Sequence, residues 1–529
     1  MEDRKHSLIE RIGSKLPEIS ILFLILMLIT AIASLLLKGT HAFASVGSEV
    51  VVNNALSPDG FLYVMDHLIS NFIGFAPLGI VLGIVIGVGV AEKSGLLGVV
   101  LKQIGIKSPD WALIPIIVFL GVMSSIASDA GYIVLIPLAG ALFASIGKNP
   151  LIGIAAAFAG VSAGFGANLL PTPGDALLGA ITVDVAAENG IPFTHNVVLM
   201  NYYFLIASTF LLTIVGTFIT NKFIVPKFKD RSFEIPEEIN SNDTNITEEQ
   251  SKGLKAAGRG LLAVVVVTAL TWAWINMVHN GFYQDLADGS LVTGAAFESW
   301  SAYTSGMSID SAIADGLLKA RNPLVDNIIV VMLFMFLVPG YAYGKSTGQI
   351  KSSTDYIKMT TNAMADSAYI LVLAFFAGNF VALFSWTGIG HLIANAGADV
   401  LISSGLNQYP VLLLIGFVLV AAFINLFIGS ASAKWVLLAP VFIPMLYGAN
   451  PELTPDMVQV AYRVADSSTN IISPLMTYTG IVILYGMKYD KKFNYGTLMD
   501  MMYPYSFGFL ISWTAFLVIW FMTGFPIGM

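Results

Sequence analysis

Stretches of about twenty apolar residues, enough to cross a bilayer's hydrocarbon as a helix, recur along the whole chain. They run from Ile19 to Leu37, Phe72 to Ala91, Val197 to Thr220, Gly260 to Val278, Asp326 to Tyr343, Ser367 to Trp386, Pro410 to Ile428 and Tyr503 to Met522. Other apolar segments are punctuated by Gly, Pro, Ser and Asn: Trp111 to Pro150, Leu151 to Pro173 and Gly429 to Tyr447. Backbone broken at membrane depth is tolerated only where protein buries it or where it lines a cavity, so these breaks point inward. The pattern predicts an all-α polytopic membrane protein. The first run follows a long polar segment and exceeds a typical signal-peptide core, so it reads as a retained span.

The polar stretch from residue 222 to 259 divides the chain into two membrane halves, 1–221 and 260–529. Each half carries a hydrophobic hairpin (about 121–148 and 426–448) followed by an interrupted span (151–187 and 455–487). SSIASDAGYIVLIP and GFGANLLPTPGD in the first half answer GSASAKWVLLAP and DSSTNIISPLM in the second, so that Asn168 corresponds to Asn470. Paired interruptions in corresponding positions of two halves point to the binding site of a secondary transporter.

The stretch AYRVADSSTNIISPLM carries an ion-pair candidate on the second interrupted span. Thr454, Pro455 and Asp456 form a helix start, and Arg463, Ser467, Asn470 and Pro474 then share one face with Asp466 beside them. A charge at the bilayer centre costs about 2.5–3.5 kcal/mol, so such residues are either paired with each other or functional. Arg463 could hold a carboxylate, and Asp466 a cation or a proton. Asp175 is the first-half counterpart, either coupling residue or helix cap. Asn425, Ser430 and Ser432 offer oxygens to a hard cation. Trp435 reads as a platform for a flat substrate or an interfacial anchor, Lys434 as a side chain snorkelling to an interface, and Asp129 as a hairpin-tip residue.

Composition agrees: 56% of the 529 residues are hydrophobic and 11% charged, whereas about a quarter are charged in soluble domains. Lys and Arg collect before the first span, at Lys93 to Lys107, in the 222–259 loop and near Lys345 to Lys358 and Lys488 to Lys492. That distribution predicts a cytoplasmic N-terminus and central loop, and an external C-terminus. The absence of cysteine excludes disulfides and thiolate sites, and no HExxH is present, so intramembrane hydrolytic chemistry has little to stand on. No nucleic-acid signature is present.

SDAGYIVLIPLAGALFASIGKNPLIGIAAAFAGVSAGFGANLL, SASAKWVLLAPVFIPM and AYRVADSSTNIISPLM resemble the signature regions of the AbgT, or p-aminobenzoyl-glutamate transporter, family, and in particular its antimetabolite-exporting bacterial members. The resemblance implies about nine membrane helices plus two reentrant hairpins with an inverted repeat, a homodimer, and the bacterial cytoplasmic membrane. It implies cation-coupled movement, by Na+ or H+, of p-aminobenzoyl-glutamate and, in some members, export of sulfonamides. Its functional residues fall on Asp175, Asn425, Ser432, Trp435, Pro455, Arg463, Asp466 and Pro474, with Asn425 and Asp466 as possible Na+ ligands. A glutamate carboxylate would suit Arg463 and an aminobenzoyl ring Trp435. The alternative is a sodium-dependent dicarboxylate or small organic-anion symporter. Direction of transport is not written in the residues.

Overall fold

The computed structural model describes residues 19–529 apart from 44–48, 107, 108, 110, 128–130, 230, 231, 235–245, 287–289, 300–306, 315, 316, 367, 474, 475 and 477. Asp129 and Pro474 lie outside the described residues. The chain is an all-α polytopic membrane protein that divides into two compact units, one of residues 1–82, 97–247 and 365–529, the other of 83–96 and 248–364.

In chain order, the helices of the first unit begin with α1 (Ile19–Leu36), α2 (Pro58–Ile73), α3 (Ala76–Lys93), which continues into the second unit, α4 (Leu96–Ile106) and α5 (Leu113–Met123). Then come α6 (Ile136–Ser145), α7 (Pro150–Phe158), α8 (Pro173–Glu188) and α9 (Tyr202–Ile219). The second unit holds α10 (Glu248–Ala273), α11 (Ile328–Ser346) and most of α12 (Ser353–Asp366). The first unit resumes with α13 (Tyr369–Thr387), α14 (Ile389–Ser403), α15 (Pro410–Asn425), α16 (Ala431–Ala449), α17 (Pro455–Asn470), α18 (Thr479–Met487) and α19 (Tyr495–Thr523). Among the described residues, six helical runs are long and apolar enough to cross a membrane: Tyr202–Phe228, Glu248–Val278, Ile328–Ser346, Ile370–Thr387, Ala431–Ala449 and Tyr495–Thr523.

In the second unit α10 packs along α11 and exposes Leu262, Val267 and Leu270, a surface suited to hydrocarbon. The polar stretch 222–259 is not loop throughout. The helical run from Tyr202 extends to Phe228, and Lys252 to Arg259 belong to α10. Two small antiparallel sheets, β1 (His41–Phe43) with β2 (Glu49–Val51), and β3 (Phe282–Asp285) between β4 (Leu291–Thr293) and β5 (Leu318–Arg321), sit in segments between the apolar runs, to which the sequence pattern assigned no element. Three- and four-residue strands carry too little periodicity to be legible.

The first unit contains the breaks. Between α5 and α6 the chain makes a 3-10 turn at Ser124–Ala127 and a π turn at Gly131–Leu135, so neither limb alone spans a bilayer. A π turn at Ala159–Ala163 ends α7, and residues 164–172 separate it from α8. In the second half α15 stops at Asn425, and α17 gives way to non-helical backbone after Asn470. The expected hairpin at 426–448 is instead a break at 426–430 followed by one helix, α16, which continues through Pro440 and Pro444. Prolines interrupt isolated helices, but in a packed membrane helix neighbouring groups accommodate the freed carbonyls. α15 lies along α17, and α16 along α14 and α8.

The two halves exchange their continuation helices. α8 packs on α16 and α17 of the other half, and α18 packs on α6 and α7. Within the first half, close approach of α5 to the end of α7 rests on small residues. A Cβ on Gly160 would stand 2.6 Å from the Val118 carbonyl oxygen, and one on Gly121 2.7 Å from Gly160 Cα. Gly160→Val is therefore expected to push α5 off the end of α7 and cost about 1–3 kcal/mol. A thermal unfolding midpoint in detergent several degrees below wild type would bear this out. An unchanged midpoint would refute it.

Candidate functional site

α17 starts where Thr454, Pro455 and Asp456 predict, with Pro455 in the first turn, although the Thr454 side chain makes no capping bond. All sixteen of its residues are buried, so both its polar and its apolar stripe face protein. Its Arg463 and Asp466, three apart and on one face, take different partners. Arg463 Nη1 lies 2.6 Å from Asp175 Oδ1 on α8, and Asp466 Oδ1 lies 2.5 Å from Lys434 Nζ on α16.

Asp175 is fixed by its own helix end. Thr172 is the N-cap of α8, and Asp175 closes the capping box, accepting from Thr172 N–H at 2.6 Å and from Thr172 Oγ1 at 2.8 Å. An anion at this position also meets the positive end of the helix dipole. The cap is Thr172, and Asp175 is at once a capping residue and the partner of Arg463.

The Lys434–Asp466 pair has no such support. Lys434 lies in the first turn of α16 and Asp466 in the closing turns of α17, so each faces the end of its own helix that carries its own sign. Lys434 does not snorkel to an interface, because its side chain is 0% exposed and that of Asp466 3%. Asn425 completes the cluster. Its Oδ1 accepts from Lys434 Nζ, and its Nδ2 donates to the Asp466 carbonyl at 2.6 Å, Thr469 Oγ1 at 2.7 Å and Asn470 Oδ1 at 3.0 Å. Asn470 Nδ2 reaches Asp466 Oδ2 at 3.3 Å.

Trp435 is fully buried and stacks on Tyr462 with ring centroids 4.7 Å apart, so it is no interfacial anchor. Its Nε1 donates to Thr182 Oγ1 on α8 at 3.0 Å, as does Gln459 Nε2 at 2.7 Å. The Tyr462 hydroxyl donates to the Ala431 carbonyl at 2.5 Å. Ser430 caps α16 through Ala433 N–H, and its hydroxyl lies 3.3 Å from that of the buried Ser432. Asn168 is farther off, in the 164–172 break, where it donates to Ser125 Oγ by the first hairpin.

Asp175, Asn425, Ser432, Trp435, Arg463, Asp466 and Asn470 thus converge where the ends of α8 and α16 meet α17. The sequence reading missed Thr182, Gln459 and Tyr462, and the role of Lys434. Charge parity was the available signal, since two intramembrane acids beside a single arginine call for a second base. A cavity of about 10 Å3 adjoins the cluster, lined by Thr172, Arg463, Asp466 and Ser467 among others.

The sequence matches the AbgT putative transporter family over residues 4–303 and 304–529. The chain belongs to that family. It is similar to the p-aminobenzoyl-glutamate transport protein of Escherichia coli K12, 31% identical over 525 residues, which covers 98% of this chain and 95% of the relative. Two solved structures share the fold. One is the Alcanivorax borkumensis YdaH transporter, described as having an unusual topology (TM-score 0.82, 35% identity, 97% of this chain and 100% of that one). The other is Neisseria gonorrhoeae MtrF, described as illuminating a class of antimetabolite efflux pumps (TM-score 0.83, 36% identity, 98% of each chain). This AbgT-family member is therefore a membrane transporter, and its relatives are transporters, not enzymes.

Removing one partner of a buried pair typically costs about 3–5 kcal/mol, because the other charge is left uncompensated. Arg463→Met should accordingly destabilise this transporter more than the double variant Asp175→Asn/Arg463→Met. A double-mutant cycle on chemical unfolding reads the coupling directly. Strictly additive losses would show that the pair contributes nothing.

Proposed function

We propose that this AbgT-family transporter carries p-aminobenzoyl-glutamate and related aromatic amino-acid conjugates by cation-coupled alternating access, with export of sulfonamide antimetabolites as a further activity of the same site. The observation that carries the reading is the pair of buried ion pairs, Arg463–Asp175 and Lys434–Asp466, at the ends of interrupted helices. Broken helix ends supply N–H groups to anions and carbonyls to cations at the membrane midplane. The relatives named for p-aminobenzoyl-glutamate transport and antimetabolite efflux support the substrate class.

In this mechanism a substrate carboxylate takes over Arg463 from Asp175, and the guanidinium fork suits that exchange of one carboxylate for another. The aminobenzoyl ring stacks against Trp435 once Tyr462 gives up its place. Na+ or H+ acts at Asp466, with Asn425 and Ser432 nearby, and binds with substrate in the same state, which is what coupling requires. The transporter works as a homodimer in the bacterial cytoplasmic membrane with a cytoplasmic N-terminus, the arrangement that the Lys and Arg distribution and the family resemblance support.

Proteoliposomes with imposed Na+ or H+ gradients test the function. Radiolabelled p-aminobenzoyl-glutamate should accumulate under one of the two gradients, and Asp466→Ala should lower the initial rate at least about tenfold. Competition by unlabelled dicarboxylates, with no transport of the aminobenzoyl conjugate under either gradient, would overturn the substrate assignment. Orientation has its own test. The chain contains no cysteine, so Lys255→Cys introduces a single reporter. It should react with a membrane-impermeant maleimide only after cells are permeabilised, and labelling of intact cells would reverse the topology.

A further inference from the structure

Lys434 is a buried ionisable group that the proposed transport steps do not use, and its placement is specific. The ammonium bridges Asp466 Oδ1, at 2.5 Å, and Asn425 Oδ1, the two oxygens that would otherwise be available to a coupling cation. We infer that Lys434 is a tethered cation that competes with Na+ for the Asn425–Asp466 seat, so that Na+ enters only as the ammonium leaves. This rests on the proposed cation coupling at Asp466.

Three observations carry the inference. First, the seat accepts a monocation through oxygen atoms, which is the chemistry a hard alkali ion also uses. Second, the ammonium has reason to leave once Asp466 is otherwise neutralised. It stands in the first turn of α16, at the positive end of that helix, and its carboxylate partner is what holds it there. Third, a point of entry adjoins the carboxylate. The cavity of about 10 Å3 beside Asp466 is large enough for one water-sized species, and Ser467 Oγ, which lines it, makes no hydrogen bond among the described residues. A Na+ arriving there meets a cavity lined by both Asp466 and Ser467, and it takes the carboxylate as Lys434 gives it up. One carboxylate cannot neutralise two buried cations, so the two occupy it in turn.

The test is the thermal midpoint of the full-length protein in nanodiscs, titrated with NaCl against N-methyl-D-glucamine chloride at constant ionic strength. Lys434→Gln removes the resident charge and keeps a hydrogen-bond donor. Its midpoint is expected to rise with Na+, with half-saturation at least tenfold below that of wild type. Lys434→Gln/Asp466→Asn, which has neither charge, should fold without Na+ and lose the response. The inference is overturned by a Lys434→Gln response equal to that of wild type, or by a response that persists in the double variant. It is equally overturned if Lys434→Gln is unfolded at every Na+ concentration while the double variant folds, since the seat then takes the ammonium alone. No substrate enters this measurement. A failure here leaves cation-coupled transport standing, and a failure of transport leaves the occupancy of the seat to be read by itself.

Discussion

Two buried ion pairs tie together the broken helices on which the site depends. Each pair draws its acid and its base from different elements, Asp175 on α8 with Arg463 on α17, and Lys434 on α16 with Asp466 on α17. In an apolar interior a charge parted from its partner has no water to turn to, so these elements can move apart only if each charge finds a substitute. α17 is the shared strut. It is buried along its whole length and contributes one charge of each sign to the two pairs.

The pairs differ in how they are held. Asp175 keeps Thr172 N–H and Oγ1 as donors and sits at the favourable end of α8, so it is satisfied in part without Arg463. Lys434 and Asp466 each face the adverse end of their own helix and depend on one another, with Asn425 as the third member. In the first pair the acid is therefore held independently of its base, whereas in the second Asp466 keeps the long contact from Asn470 Nδ2, at 3.3 Å, and Lys434 the Asn425 Oδ1. The exchange of α8 and α18 between the halves puts both pairs at the junction of the halves, since α8 brings Asp175 against the α16 and α17 that carry the other three charges.

Much of this was legible in the residues because bilayers impose simple rules. Apolar run length fixed the class, small and helix-breaking residues marked the interruptions, and Thr454 to Asp456 marked the start of α17. Asp175, Asn425, Trp435, Arg463 and Asp466 do meet. Sequence could not assign partners. Arg463 and Asp466 are spaced to pair on one helix face, yet tertiary packing supplies each with a nearer ion on another helix, and only the fold brings α8 and α16 there. Lys434 was misread for the same reason, since a lysine beside a tryptophan in an apolar segment has the composition of an interface. Pro440 and Pro444 read as breaks because the cost of proline depends on neighbours that a linear sequence does not display.

Charge balance also constrains how such a site can open. With an effective dielectric near 20, a second monocation about 4 Å from the ammonium would be opposed by about 4 kcal/mol. On the proposed reading a cation would therefore bind at Asp466 by replacement rather than addition, just as an anion would bind at Arg463 by replacing Asp175. Replacement leaves Arg463 and Asp466 each paired in both states, which spares these two the penalty for a bare ion in the membrane interior. On the proposed reading, an anion at Arg463 frees Asp175 while a cation at Asp466 frees Lys434. The two displaced side chains carry opposite signs, and both come from helices that pack on one another, α8 and α16. Binding of both solutes thus releases an acid and a base together from α17, whereas binding of one alone would leave a single unpaired charge inside the protein. That difference gives a physical basis for coupling in which neither solute needs to touch the other.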